Sequence, residues 1–440
     1  MWTYHPDLLA RPVPRYTSYP TAAEFGDSVG PADLEAQLAA IPVKQAVSLY
    51  LHVPYCHEIC WYCGCNTGAA NRRGRLAAYV QRLSGEIDLL SRRLGRRVPI
   101  SRIAWGGGSP NALDPDDFLA LSAQLHEAFD TRTSVTSVEV DPRAFTAEWA
   151  DAMRQAGVSR ASLGVQSFSP DLQARIGRVQ PEEMIARTVE RLRAAGTRSI
   201  NFDLMYGLPG QVDADLIDSI ERTLALAPER VAVFGYAHVP NLIARQRRID
   251  ATALPDAATR FRHAELAHRL FGSAGYQPVG FDHFAVSDDD LAIAAKAGTL
   301  RRNFQGFTED QADVLIGLGA SSISSFPGAL LQNEKNAGRY QMRIGAGAFA
   351  TARGLMRSPV DRLRGLAIER LLCSGQADLA GIPDLAGVRD QMLRFEERGL
   401  LRWDGDRVVL DAAALPYART IAAVLDPHRA QPAKTFSSAV

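Results

Sequence analysis

The sequence predicts an α/β protein whose main domain is an open, barrel-like sheet of six β/α units. Two observations carry this. From residue 46 to about 240 a short β-branched or apolar run, a turn and a longer amphipathic stretch recur six times, and strands alternating with helices imply a parallel sheet with right-handed crossovers. Six units are too few to close an eight-fold barrel, which leaves an open (β/α)6 sheet, with a doubly wound open sheet as the alternative.

The elements follow in order. The runs are "AVSLYLHV" (46–53), "SRIAWGGG" (101–108), "TSVEVDP" (136–142), "RASLGVQSF" (160–168), "SINFDLMYGLPG" (199–210) and "RVAVFGYAHVP" (230–240). Between them, "RLAAYVQRLSGEIDLLSRRL" and "PEEMIARTVERLRAAG" repeat apolar residues at three- and four-residue spacing, the mark of amphipathic helices. Past residue 240 the rhythm changes. "DAATRFRHAELAHRLFGSAGY" reads as a helix, "GFDHFA" and "RNFQGFTEDQADVLIGLGASSIS" as irregular, and the chain from about 355 as mostly helical. Near the end, "IPDLAGVRDQMLRFEERGLLRWDGDRVVLD" gives a helix and two strands about an Asp404–Gly405 turn, a winged-helix-like arrangement whose helix is not basic enough for a DNA reader. The expected organisation is an N-terminal arm (1–45), the barrel and its extension (46–330), and a mostly helical C-terminal domain (331–440), with "QPAKTFSSAV" as a loose tail.

Composition limits the function. Net charge is zero and the basic residues are scattered, which argues against a nucleic-acid surface. No basic start followed by an apolar run opens the chain, and no apolar stretch approaches 18 residues, so a cytoplasmic protein without a membrane segment is expected. Four of the five cysteines fall within "YLHVPYCHEICWYCGCNTG", the fifth being Cys373. Neighbours this close would close only strained, tiny disulfide loops. The cluster therefore reads as a metal or redox centre in a reducing compartment.

Cys56, Cys60 and Cys63 stand at C-x-x-x-C-x-x-C spacing directly after the first predicted strand, with Cys65 two residues on. Structural zinc usually takes two separated pairs of ligands, and no second pair exists. Three thiolates on one loop suit a 4Fe-4S cluster with one iron left open for a small molecule. In either α/β fold the chemistry belongs at the C-terminal strand ends, where this chain also places Gly106 to Ser109, Glu139, Asp141, Gln166, Asp203, Tyr206, Tyr236 and His238. Polar groups at six strand ends exceed what turns alone require.

These motifs resemble the radical S-adenosylmethionine (SAM) enzymes, and among them the oxygen-independent coproporphyrinogen III oxidase family. The resemblance runs nearly end to end through "PRYTSYPTAAEF", "YLHVPYCHEICWYCGCN", "WGGGSPN", "EVDPR", "LGVQSF", "NFDLMYGLPGQ", "FGYAHVP", "GFDHFA", "RNFQGFT" and "SSIS". Gly64-Cys65-Asn66 and the Arg15 to Thr21 arm are its specific items, since the related heme-chaperone branch typically follows its third cysteine with Asp-Phe. Ser109 and Asn111 stand where the family usually has threonines.

The resemblance implies a three-quarter TIM-like radical SAM barrel. Cys56, Cys60 and Cys63 would ligate a 4Fe-4S cluster. Tyr50, Tyr62, Gly107, Gly108, Ser109, Glu139, Gln166, Arg178, Asp203, Ala237 and Ile323 would contact two SAM molecules, and Cys65 would serve the second SAM or the substrate step. Glycines admit close backbone approach to a ligand, and an arginine forks onto a carboxylate. Without the resemblance, Arg178 is a solvated helix charge and Glu139 an internal ion-pair partner. The implied reaction removes a β-hydrogen and carbon dioxide from each of two propionates of coproporphyrinogen III, giving protoporphyrinogen IX. A flavodoxin- or ferredoxin-like electron donor, an electron acceptor and a monomeric state are also implied. Four substrate carboxylates ask for arginines, with Arg15 and Arg302 the candidates. A heme-binding or heme-transfer protein and an anaerobic heme-modifying enzyme on the same scaffold are the competing functions. His52 reads as a hydrogen-bonded strand histidine, His238 and His283 lack paired metal ligands, and Cys373 reads as a buried packing residue.

Overall fold

The computed structural model describes residues 2–70 and 72–430; the expected C-terminal tail lies outside them. Six parallel strands form its centre: β1 (Val47–Val53), β2 (Ile100–Gly107), β3 (Val135–Val140), β4 (Arg160–Gln166), β5 (Ser199–Tyr206) and β6 (Arg230–Gly235). They pair in chain order, as the β/α rhythm predicts. In β1 every residue but Tyr50 is buried, which is why its apolar run does not alternate: helices cover one face and the barrel interior covers the other. The crossover helices are α1 (Arg73–Leu94), α2 (Pro115–Ala128), α3 (Ala147–Gln155), α4 (Glu182–Ala194) and α5 (Asp213–Leu226), with α6 (Ala257–Ser273) following β6. Helix α1 turns Tyr79, Leu83, Ile87, Leu90 and Leu94 inward, a three-to-four-residue stripe, and stops where Gly95 takes a left-handed conformation at φ +63°. Phe118 of α2 lies with its ring centroid 5.0 Å from Trp105 and 4.9 Å from Trp149, aromatic contacts worth about 0.5–1.5 kcal/mol each beyond the area they bury.

The sheet does not stop at six strands. Short strands β7 (Gln277–Val279) and β8 (His283–Ala285) add an antiparallel hairpin beyond β6. On the other side, β9 (Leu315–Leu318) runs parallel to β1, followed by the antiparallel strands β10 (Ile323–Phe326), β11 (Ala329–Asn333) and β12 (Thr351–Met356). The result is one open twelve-stranded sheet. The two segments read as irregular thus contain strands of three or four residues, too short for periodicity to register and cut by glycines. The expected boundary at 330 falls inside β11, and the sheet continues to Met356.

The end of the barrel opposite the strands' C-termini is closed by charge. Arg102, Arg160 and Arg230, near the starts of β2, β4 and β6, all face Glu309. Burial pushes the Glu309 carboxyl up, but the three arginines outweigh it and hold it near 2. Asp310 accepts from Ser48 and Ser101 beside them. A buried carboxylate this heavily compensated fits a structural plug, and catalysis belongs at the other end.

Residues after the sheet form α7 (Pro359–Ser374), α8 (Leu385–Glu396) and the three-stranded sheet β13 (Gln376–Asp378), β14 (Leu401–Asp404) and β15 (Arg407–Leu410). The expected hairpin and helix are present, with β13 as the strand periodicity missed. The arm does not stand alone: Leu8, Leu9, Val13, Tyr16 and Tyr19 belong to the core that holds Leu371, Phe395, Tyr417 and Ile421. Tyr16 donates to Asp426 at 3.0 Å. The N-terminal segment is therefore tied down by the C-terminal one. Among the described residues no helix is long and apolar enough to cross a membrane.

Candidate active site

The C-terminal strand ends converge on a cavity of about 490 Å³. Its rim is the cysteine loop, which leaves β1 at Val53 and returns through a small clasp: Tyr55–Cys56 pairs with Gly68–Ala69, Gly68 N donates to Pro54 O at 2.9 Å and Ala70 N to Cys56 O at 2.8 Å. The clasp lets eleven intervening residues wrap one space. Cys56, Cys60, Cys63 and Cys65 all line the cavity.

Each of the three sulfurs at cluster spacing accepts a hydrogen bond. Thr67 Oγ1 donates to Cys56 Sγ at 3.2 Å, Arg143 Nη2 and Arg178 Nη1 each reach Cys60 Sγ at 3.3 Å, and Cys65 N donates to Cys63 Sγ at 3.3 Å. Donors aimed at sulfur favour the thiolate and tune an iron–sulfur centre. Hydrogen bonding from Cys65 brings the Cys63 thiol down to about 6, whereas burial pushes Cys56 up to about 11. Asp141 joins the two arginines, accepting from Arg143 Nη2 at 2.7 Å and Arg178 Nη2 at 3.3 Å. Burial pushes the Asp141 carboxyl up, but Arg178 and Arg143 outweigh it and hold it below its ordinary range.

Arg178 is no solvated helix charge. It is buried in a loop after β4, and its Nε donates to Gly164 O at 2.9 Å. Glu139 makes no ion pair among the described residues; it accepts from Gly107 N at 3.0 Å. Burial pushes its carboxyl up to about 7, with Asp203 adding to the rise. Asp203 is itself raised by burial despite donors from Asn201 at 2.8 Å and Ser162 at 3.2 Å. A cavity wall with two carboxylates that make no ion pair among the described residues suits a cationic ligand bearing hydroxyl and amine donors.

The triple glycine has a further reason. A Cβ at Gly106 would sit 2.6 Å from Glu139 Oε1, and one at Gly108 2.6 Å from Tyr55 O. Gly107 has φ +113°, and its added Cβ would meet the His52 ring at 2.6 Å. The glycines make room for the protein's own carboxylate, loop and histidine. Gln166, at φ +69°, sits where β4 slips register against β5, a local strain that turns its side chain at the cavity.

Tyr62, Gly107, Gly108, Ser109, Glu139, Gln166, Arg178, Asp203 and Ala237 line the cavity together with the cysteines. Tyr50 and Ile323 are not among its lining residues. The Tyr50 hydroxyl lies 3.1 Å from His52 Nδ1, and Ile323 packs against Gly317, the register partner of Tyr50. Burial lowers His52 to about 4, which favours the neutral ring for this strand histidine. His238 and His283 partner Tyr236 and Asp282 at 2.9 and 2.7 Å, and Cys373 is buried in a side cluster. Sequence reasoning missed Arg143, although "EVDPR" carried it, and Asn111, which bridges Ser109 and the Asp141 backbone. Three thiols with aimed donors, beside a polar cavity whose carboxylates Glu139 and Asp203 make no ion pair among the described residues, fit a three-thiolate 4Fe-4S cluster and SAM.

Residues 50–223 match the radical SAM superfamily, and the parallel barrel with a three-cysteine loop at its C-terminal end defines that class of enzyme. Oxygen-independent coproporphyrinogen III oxidase of Bradyrhizobium diazoefficiens is 44% identical over 425 residues, 94% of each chain. The Pseudomonas aeruginosa protein of the same name is 36% identical over 430 residues, covering 94% of this chain and 93% of that one. The solved structure of coproporphyrinogen III oxidase from Escherichia coli, a radical SAM enzyme, superposes with a TM-score of 0.90 at 32% identity, covering 97% of this chain and 99% of the other. The chain belongs to the oxygen-independent coproporphyrinogen III oxidase family.

Proposed function

We propose that the protein converts coproporphyrinogen III to protoporphyrinogen IX by oxidative decarboxylation of two propionate side chains, in anaerobic porphyrin and heme synthesis. The observation that carries this is the near full-length family match on a chain whose cysteine loop, Glu139, Arg178 and arm residue Arg15 line one cavity. When bound, the reduced 4Fe-4S cluster and SAM supply a 5′-deoxyadenosyl radical able to take a β-hydrogen from a propionate. The protein's own residues do the positioning. Cys56, Cys60 and Cys63 hold the cluster, and Arg143 and Arg178 neutralise the thiolate of Cys60. Glu139, Asp203, Gln166 and the Gly107–Gly108 backbone receive SAM, while the barrel walls keep water from the reacting carbon.

Two SAM molecules are assigned to this cavity on the family resemblance; of the eleven residues expected to contact them, nine line it, and Tyr50 and Ile323 do not. Cys65 is assigned to the second of these or to the substrate step. The electron donor is a flavodoxin- or ferredoxin-like protein, the final electron acceptor is separate, and the working unit is a cytoplasmic monomer. The heme-binding and heme-modifying alternatives lose ground to Gly64-Cys65-Asn66 and to an arm that places Arg15 in the cavity. An anaerobic assay with reconstituted cluster, SAM, a reductant and coproporphyrinogen III tests the reading. Divinyl product supports it; stable heme binding without porphyrinogen turnover by cluster-loaded protein would replace it.

A further inference from the structure

The cysteine loop has a second face, turned away from the active cavity. Behind the clasp lies an open groove of about 640 Å³, walled by Tyr55, Thr67 and Gly68 of the loop, by Arg75 of α1, and by Lys335 and Gln341 from the segment after β11. Thr67 lines this groove and the active cavity alike, and its Oγ1 donates to Cys56 Sγ at 3.2 Å. One threonine side chain thus separates a cluster-spaced sulfur from the outer surface. Asn66 Nδ2 ties the two walls together, donating to Lys335 O at 2.8 Å.

Charge on this face is one-sided. In a chain of zero net charge, Asn66 to Gly85 carries Arg72, Arg73, Arg75 and Arg82 without an acid, and Lys335 to Val360 carries Lys335, Arg339, Arg343, Arg353 and Arg357 without one. The two segments meet in space: the helix Ala337–Gly345 lies on α1, with the Tyr79 and Tyr340 rings 5.5 Å apart, and a Cβ at Gly345 would lie 3.2 Å from the Arg82 guanidinium carbon. Arg72, Arg73, Arg75, Lys335 and Arg339 are exposed, and none has an ion-pair partner among the described residues. Glu334, the acid next to Lys335 in the chain, is taken by Arg343 at 3.0 Å. Met342 follows Arg339 by three residues, on the same side of its helix, and is 68% exposed. A flexible apolar side chain among free cations suits a surface that another protein covers.

Resting on the proposed function, in which each SAM consumed takes up one electron, we infer that this face docks the electron carrier, an acidic protein, and that the electron enters past Thr67. One electron passes from the reduced carrier to the cluster, with no bond made or broken. The mouth of the active cavity is the poorer route, because bound substrate stands there. The other basic stretch beside the loop, Arg245 to Arg248, is partly spent: Arg245 donates to Cys65 O at 3.1 Å, and Arg248 stacks 5.8 Å from the Trp61 ring.

The test uses the full chain with reconstituted cluster and, as carrier, a flavodoxin with an acidic surface. Calorimetry reads binding of the oxidised carrier, and anaerobic stopped flow reads cluster reduction by the reduced one. Arg72→Glu, Arg75→Glu and Arg339→Glu combined should weaken binding and slow reduction at least about tenfold at low salt, the gap closing toward about 1 M salt, where the screening length is about 3 Å. Cluster iron, SAM affinity and reduction by dithionite should stay at the wild-type level. If the triple variant loses iron, glutamines at the same three positions carry the test and must show a smaller loss in the same direction. Arg247→Glu with Arg248→Glu should leave binding and reduction unchanged. An unaltered flavodoxin response in the iron-bearing triple variant, a loss found in the Arg247 and Arg248 pair instead, or a wild type inert to flavodoxin overturns the docking face and leaves the function standing. Binding to phosphatidylglycerol vesicles, abolished by the triple reversal while the flavodoxin response persists, would make the face a membrane contact. Wild type that dithionite reduces but that converts no coproporphyrinogen III removes the proposed function instead, and with it the need for the carrier.

Discussion

Glu139→Gln should change both the strength and the pH dependence of SAM binding. Burial holds this carboxyl near 7, and its one protein hydrogen bond comes from Gly107 N at 3.0 Å. If the carboxylate receives SAM, protonation competes with binding. With the ligand-free value at about 7, wild-type affinity at pH 6 should be roughly tenfold below that at pH 8, because a proton must leave before the ligand is held. Glutamine has no such proton to lose. The variant should bind about 10- to 150-fold more weakly at pH 8, equivalent to about 1.5–3 kcal/mol for a charged hydrogen bond, with the Glu139 part of the slope gone. The amine of SAM titrates near this range as well, but equally for both proteins, so the difference between the two profiles isolates the side chain. Anaerobic equilibrium dialysis of cluster-loaded protein at pH 6, 7 and 8 reads both quantities. Parallel profiles with equal affinities would refute the reasoning and leave Glu139 as a purely structural carboxylate.

Three further outcomes follow from the same geometry. Cys65→Ser should keep near wild-type cluster iron while losing most porphyrinogen turnover; iron analysis showing loss of the cluster would make Cys65 a ligand, and full turnover would make it packing. Arg178→Met leaves the shared carboxylate Asp141 with Arg143 alone and should cost about 1.5–3 kcal/mol in denaturant unfolding, the usual size of a charged hydrogen bond; a loss below about 0.5 kcal/mol would contradict its placement. Burial pushes Glu86 up to about 7 against donors from Gly319, Tyr340 and Asn333. Its folded value exceeds its unfolded one, so its contribution is complete below pH 4.5 and is lost as pH rises through 7, about 3 kcal/mol. In cluster-free protein the difference between the Glu86→Gln and wild-type stability profiles should change by about 2.5 kcal/mol between pH 5 and 8, the titrations of Glu139, His52 and Cys63 being common to both, and parallel profiles would rule this out.

What could be read in the sequence divides along physical lines. The six parallel strands were legible because each is rich in β-branched and apolar residues, buried on both faces in β1 and on alternate residues in β3. The cysteine loop was legible because thiolate chemistry fixes its spacing. The outer strands were not: Gln277–Val279 and His283–Ala285 are three residues each and take their shape from pairing. Nor was the Glu309 plug, whose meaning depends on three arginines from alternate strands meeting in space. Arg143 stood in a quoted motif, yet only the fold shows its guanidinium beside the Cys60 sulfur.

The central claim, that this cavity removes a β-hydrogen from a propionate of coproporphyrinogen III, is tested most directly by isotope. Coproporphyrinogen III deuterated at the β-carbons of its propionates, turned over anaerobically by cluster-loaded protein, should give deuterium in the 5′-deoxyadenosine recovered, with vinyl product formed alongside. Unlabelled 5′-deoxyadenosine accompanying vinyl product would contradict the account.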